Sequence, residues 1–160
     1  MRTIEKEVFT YAELNESAKD NAREWFSRGG YAWIDEGIDS VKAFCAHYGV
    51  RLTDYSLSPY SYSYMETDAT NSHFRGLTLK QVEKEKSLMP TGYCIDCDLF
   101  ETMYESMRDN HGDALQAFQD AIEAGKRAIL ADMEYQDSEE HIAEMMEVNG
   151  YEFYENGTRI

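Results

Sequence analysis

Apolar residues recur at three- and four-residue steps along most of the chain, so helices dominate the expected structure. Leu14, Ala18, Ala22, Trp25 and Phe26 make one stripe over residues 15–28, opened by Asn15 and Ser17 and stopped by Gly29-Gly30. Trp33, Ile34, Ile38, Val41, Phe44, Cys45 and Tyr48 make a second, with Asp35 and Glu36 in its first turn and Gly49 at its end. Residues 79–88 read as a short helix. A helix over about 96–109 buries Leu99, Phe100, Met103, Tyr104 and Met107. Another runs from Asp113 to about Met133 on Leu115, Phe118, Ile122, Ile129, Leu130 and Met133, and a last one is capped by Ser138 with His141, Ile142, Met145 and Met146 inward.

Strand patterns are fewer. IEKEVFTY (4–11) alternates, and Val50 to Leu57 suggests a strand with an irregularity near Asp54. In YSLSPYSYSY serines and tyrosines alternate, so a strand there would carry one aromatic and one hydroxylic face. A partner strand is expected near His73 to Thr78, across a loop at Glu66 to Ser72. YEFYENGTRI reads as a hairpin about Asn156-Gly157, the dipeptide of type I′ turns. The expected fold is α+β and mainly helical. One small antiparallel sheet would combine the N-terminal strand, the Val50–Tyr64 region and the C-terminal hairpin. Residues 1–160 are expected to form one domain.

Composition supports a folded core: 42% of the residues are hydrophobic and 13% aromatic. Charge changes the picture more. Residues 90–160 carry 17 Asp and Glu against 4 Lys and Arg, and residues 1–89 carry 14 against 11. The net charge of −16 is thus concentrated after Pro90. Phosphates and anionic membranes would be repelled, so neither direct nucleic-acid binding nor membrane binding is expected. No apolar run reaches the ~20 residues of a membrane span. The first residues lack an apolar signal core, and three cysteines point to a reducing cytoplasm.

Candidate chemistry is sparse. No GxSxG, P-loop, GxGxxG or HExxH occurs, so no catalytic residue is assigned and no enzyme is expected. His111 and His141 flank acidic helices, but four scattered histidines meet carboxylates by chance in so acidic a chain. Cys94-Ile-Asp-Cys97 has the spacing of half a zinc site or of a redox pair. A tetrahedral metal site needs two more ligands, for which Cys45 and His47 are the candidates. Two half-buried thiols opening a helix fit better, and neither metal nor cofactor is expected.

Two surfaces remain. Asp96, Asp98, Glu101, Glu105 and Asp109 recur along one helix, and Asp113, Asp120 and Glu123 along the next. Spaced carboxylates on a helix can imitate the phosphates of a nucleic acid and occupy a basic groove, with electrostatic steering of association. The plainer reading is a solvated helical face. Tyr55, Tyr60, Tyr62 and Tyr64 form either a half-buried sheet face or an aromatic contact platform.

FTYAELNESAKDNAREW (9–25) resembles an N-terminal pattern of small acidic proteins of tailed phages, carried here by Tyr11, Glu13, Leu14, Ala18 and Lys19. MEYQDSEEHIAEMMEVNGYEFYENGTRI (133–160) is similar to the C-terminus of the same group. The group's Gly- and Asp-rich loop is mostly missing from Thr67 to Gly76, where Phe74 and Gly76 are kept. Some members carry the label of antitoxin, and no catalytic residue comes with the likeness. The resemblance implies an inhibitor of a host defence or nucleic-acid-handling protein, of anti-CRISPR or anti-restriction type, in the host cytoplasm. Its partner would be a basic, nucleic-acid-binding host protein; homodimerisation stays open. The alternative is an antitoxin-type or regulatory partner binding through the tyrosines. A small metalloprotein using Cys94 and Cys97 is a third reading.

Overall fold

The computed structural model describes residues 5–160, and the chain is α+β. The described residues divide into two compact units, one of residues 5–32 with 133–160, the other of residues 33–132.

The first unit holds strand β1 (Phe9–Thr10) and helix α1 (Glu16–Ser27). Asn15 caps α1 by accepting from the Ala18 N–H at 2.9 Å. The inner face of α1, Ala18 and Ala22, packs with Tyr11 and Leu14 just before it and with Ile142, Met146 and Phe153 from the C-terminal stretch. At the rim, the Arg159 guanidinium lies 4.8 Å from the Trp25 ring centre and 4.4 Å from that of Tyr151. The Tyr11 hydroxyl donates to Glu139 Oε1 at 2.7 Å and accepts from Arg23 Nη1 at 3.1 Å, while Arg23 also pairs with Glu139 and Asp20. Burial, then the bond to Glu139, pushes the Tyr11 hydroxyl up to about 12.

In the second unit come helix α2 (Ile34–His47), strands β2 (Leu52–Ser56) and β3 (Tyr64–Thr67), and helices α3 (Leu79–Glu85), α4 (Ile95–Asp109) and α5 (Ala114–Gln136). The last residues of α5, from Met133, fall in the first unit, which continues with α6 (Glu139–Val148) and strand β4 (Glu152–Phe153). As expected, Ser138 caps α6, accepting from the His141 N–H at 3.2 Å. An aromatic cluster fills the second unit: Phe44 lies 5.0 Å from Phe100 and 5.2 Å from Phe118, centre to centre. Gly125 lets α4 come close to α5, since a Cβ there would sit 2.7 Å from Leu99 Cδ2.

Three expectations change. The single sheet is two separate two-stranded sheets, β1 with β4 and β2 with β3. The tyrosine tract is not one strand, and the partner of β2 is not near His73. Pro59 interrupts the alternation, and Ser63 closes a short hairpin by accepting from the Ser58 N–H at 2.8 Å and donating to its carbonyl at 2.7 Å. β3 therefore starts at Tyr64, where local closure costs little entropy, and residues 71–74 form a 3₁₀ turn. The irregularity near Asp54 is real: the register shifts between Leu52 and Asp54. Of the strand expected over 4–11 only Phe9–Thr10 is paired, and Ile4 lies outside the described residues.

The C-terminal hairpin forms, but not on a type I′ turn. Gly157 N–H bonds the Tyr154 carbonyl at 2.8 Å, which makes Glu155 and Asn156 the central residues. Only Gly157 takes positive φ, +81°. This is the three-residue connection in which a left-handed glycine follows an ordinary turn. Its packing excludes any other residue: a Cβ at Gly157 would lie 2.0 Å from the Ala18 carbonyl oxygen.

Gly157→Ala is expected to lower stability by at least ~1–2 kcal/mol through the left-handed backbone alone, with the clash adding to it; urea unfolding measures the change. The raised Tyr11 hydroxyl predicts a pH effect. A group whose pKa is higher in the folded state stabilises below its unfolded value and loses that contribution as pH rises through the folded one. Between about pH 10 and 12 the wild type should therefore lose stability more steeply than Tyr11→Phe. Equal slopes in thermal unfolding across that range would contradict it.

Candidate partner-binding surface

The site begins with a charge that does not reach solvent. Asp96, in the first turn of α4, is fully buried. Its Oδ2 accepts from the backbone N–H of Thr91 at 2.9 Å and of Gly92 at 3.0 Å, and the Thr91 hydroxyl donates to both carboxylate oxygens at 3.0 Å. Thr91 has one hydroxyl proton and gives it to Asp96, so Ser40 on α2 is the donor in the 2.8 Å bond to Thr91 Oγ1. Asp96 is thus a loop anchor, placed where the helix dipole favours an acid. It leaves the set of partner-facing carboxylates expected from charge alone.

The anchored loop presents Tyr93. Its ring stacks on Trp33, with centres 6.4 Å apart and planes 20° from parallel. Trp33 caps α2 in the left-handed conformation, φ 65°, and is 61% exposed. A bulky side chain in that conformation costs ~1–2 kcal/mol, and such strain persists where the surroundings impose it. Beside the pair, Cys94 and Cys97 are exposed, and the Cys97 thiol donates to Met89 Sδ at 3.3 Å.

Along α4, Asp98, Glu101, Glu105 and Asp109 are exposed and continue away from this aromatic head. Asp109 pairs with Arg108 at 2.9 Å. Among the described residues Asp98, Glu101 and Glu105 have no cationic partner. Desolvation, then the Glu101 charge, raises the Asp98 carboxyl above the usual carboxylate range. The α5 carboxylates differ. Asp113 accepts from the Gln116 N–H at 3.1 Å as the helix opens. Half-buried Asp120 accepts from Gln116 Nε2 at 2.9 Å and from the Ser106 hydroxyl. Glu123 pairs with Lys126 Nζ at 2.7 Å. Of the eight carboxylates expected to act together, four form one stripe on α4; Asp113, just before α5, and Asp120 and Glu123 on it are engaged locally, and Asp96 is buried.

Tyr60 and Tyr62 are 72% and 83% exposed at the β2–β3 connection, with Tyr55 at 40%, so the tract is not a half-buried sheet face. Cys45 is buried on α2. Among the described residues no group of three His, Cys, Asp or Glu side chains could hold a metal ion. None of their helices is long and apolar enough to cross a membrane.

Two of the hollows among the described residues are lined by titratable side chains. In the first unit a cavity of about 470 Å³ is lined by Tyr11, Lys19, Glu139, Met146 and Tyr151 among others. Its Tyr11 and Glu139 already bind each other, and Lys19 pairs with Glu16 at 3.3 Å. In the second unit a cleft of about 290 Å³ includes His47, Tyr48, His73, Arg75 and Glu85. There Glu85 accepts from the Tyr48 hydroxyl at 2.8 Å and lies 3.3 Å from His47 Nε2. Nothing in the sequence pointed to the His47–Glu85 pair, which joins two helices, or to the Trp33–Tyr93 stack: Trp33 was expected on the apolar stripe of α2, but it caps that helix and is exposed. No family model matches the chain, and neither a curated protein nor a solved structure is significantly similar to it.

Asp96→Ala would take their charged acceptor from two backbone N–H groups and a hydroxyl of the loop, at roughly 1.5–3 kcal/mol. Chemical denaturation should show that loss, and Trp33 emission should report release of the stack. A variant as stable as the wild type would remove Asp96 from its role.

Proposed function

We propose that the chain is a binding protein, not an enzyme, and that it inhibits a basic, nucleic-acid-handling or defence protein of a phage host. One observation carries this reading: a stripe of exposed carboxylates on α4, of which Asp98, Glu101 and Glu105 have no cationic partner among the described residues, headed by an exposed and strained aromatic. Steps of three and four residues along a helix separate such charges by about 4.5–6 Å along its axis, a spacing comparable with successive phosphates on one strand. Their mutual repulsion is relieved when a basic groove covers them, and the aromatic pair supplies the apolar contact that charge alone lacks. The likeness to small acidic phage proteins supports the host context. It falls on residues 9–25 and 133–160, within the first unit, whereas the stripe lies on the second.

The second reading, an antitoxin-type or regulatory partner, is favoured by the exposure of Tyr60 and Tyr62. A pull-down from bacterial host lysate at low and high salt separates the two. On the first reading capture weakens once the Debye length falls below ~10 Å. Nucleic acid competes for the captured protein, and Asp98→Lys, Glu101→Lys, Glu105→Lys and Asp109→Lys together abolish capture while circular dichroism stays native. Full capture by that variant, lost instead on Tyr60→Ala with Tyr62→Ala and indifferent to salt, would replace the first reading by the second.

A further inference from the structure

The chain has three free cysteines, and they are not equivalent. Cys45 lies in the core of the second unit, whereas Cys94 and Cys97 are both exposed at the start of α4. Cys94 is the cap residue and has helical dihedrals, φ −58° and ψ −26°. The Cys97 N–H bonds the Cys94 carbonyl at 3.1 Å, closing a single turn between them. Such a turn brings its end Cα atoms within ~7 Å, and disulfides span Cα separations of roughly 4.4–6.8 Å. The loop before them is pinned by Asp96, so the turn is held in place.

The geometry points to Cys94 and Cys97 as a reversible dithiol–disulfide pair that exchanges with a low-molecular-weight or protein disulfide. The Cys94 thiolate attacks one sulfur of the oxidant, forms a mixed disulfide and expels the first thiol. Cys97 then loses its proton and attacks the Cys94 sulfur, forming the Cys94–Cys97 bond and expelling the second thiol. Two electrons and two protons pass to the oxidant, which leaves as two thiols. Cys97 is the resolving partner because it rests against Met89 at 3.3 Å. Desolvation and then the charges of Glu101 and Asp98 raise its thiol, which slows attack at neutral pH. Closure consumes the thiol proton given to Met89. The exchange needs no protein partner and stands independently of the inhibitor reading.

The test uses the full, reduced chain incubated with oxidised glutathione, quenched in acid, alkylated and weighed by mass spectrometry. The expected product is a monomer lighter by two hydrogens, with the bond mapped between Cys94 and Cys97. Cys45 stays a thiol that alkylates only after unfolding, and dithiothreitol restores every thiol. Cys97→Ser should halt at a glutathione adduct on Cys94. The rate of closure should rise with pH by about tenfold per unit below the Cys97 pKa. Stable glutathionylation of both cysteines in the wild type, or linked dimers in place of the closed monomer, would overturn the proposal. So would zinc held stoichiometrically by the pair in protein purified without chelator.

Discussion

The surface of the second unit depends on the buried carboxylate of Asp96. A charge removed from water is costly unless hydrogen bonds replace its hydration, and among the described residues no cation pairs with Asp96. Two backbone N–H groups and the Thr91 hydroxyl supply the replacement, all from the turn just before α4. Because those donors belong to neighbouring residues, satisfying the charge also dictates the path of the loop. Ser40 extends the network to α2 through Thr91. Tyr93 is then set against Trp33, and Cys94 is set at the helix cap.

Electrostatics separates the carboxylates by role, although the sequence writes them all alike. Asp96 is satisfied inside. Asp113, Asp120 and Glu123 each meet a local donor or cation. Asp98, Glu101 and Glu105 remain facing water and one another, which is where a basic partner gains most. Engaged carboxylates offer less, since a new partner must first displace an existing bond. This sorting, more than the total of −16, is what makes α4 the functional candidate.

Helices were legible because their inner faces repeat locally. The stripes of α1, α2, α4 and α6, the cap at Ser138 and the irregularity near Asp54 all follow from neighbours within a few residues. The strands were less so. Alternating serine and tyrosine looked like one strand, but Pro59 and the Ser58–Ser63 bonds fold the tract into a hairpin. Asn156-Gly157 signalled a turn correctly, yet the turn centres on Glu155 and Asn156, with only Gly157 at positive φ and packed too closely on Ala18 to bear a side chain.

Sequence alone determined the α+β class, the position of most helices and the location of excess charge after Pro90, since each is a property of composition or of short-range periodicity. Tertiary structure decided which carboxylates are buried, paired or free, which aromatic residues stand in solvent, and that the strands form two sheets. Those outcomes turn on contacts between residues far apart in the chain, such as Ser40 with Thr91 and Trp33 with Tyr93. Local patterns carry no information about such contacts, because the same residue is equally plausible inside or outside until its distant neighbour is in place.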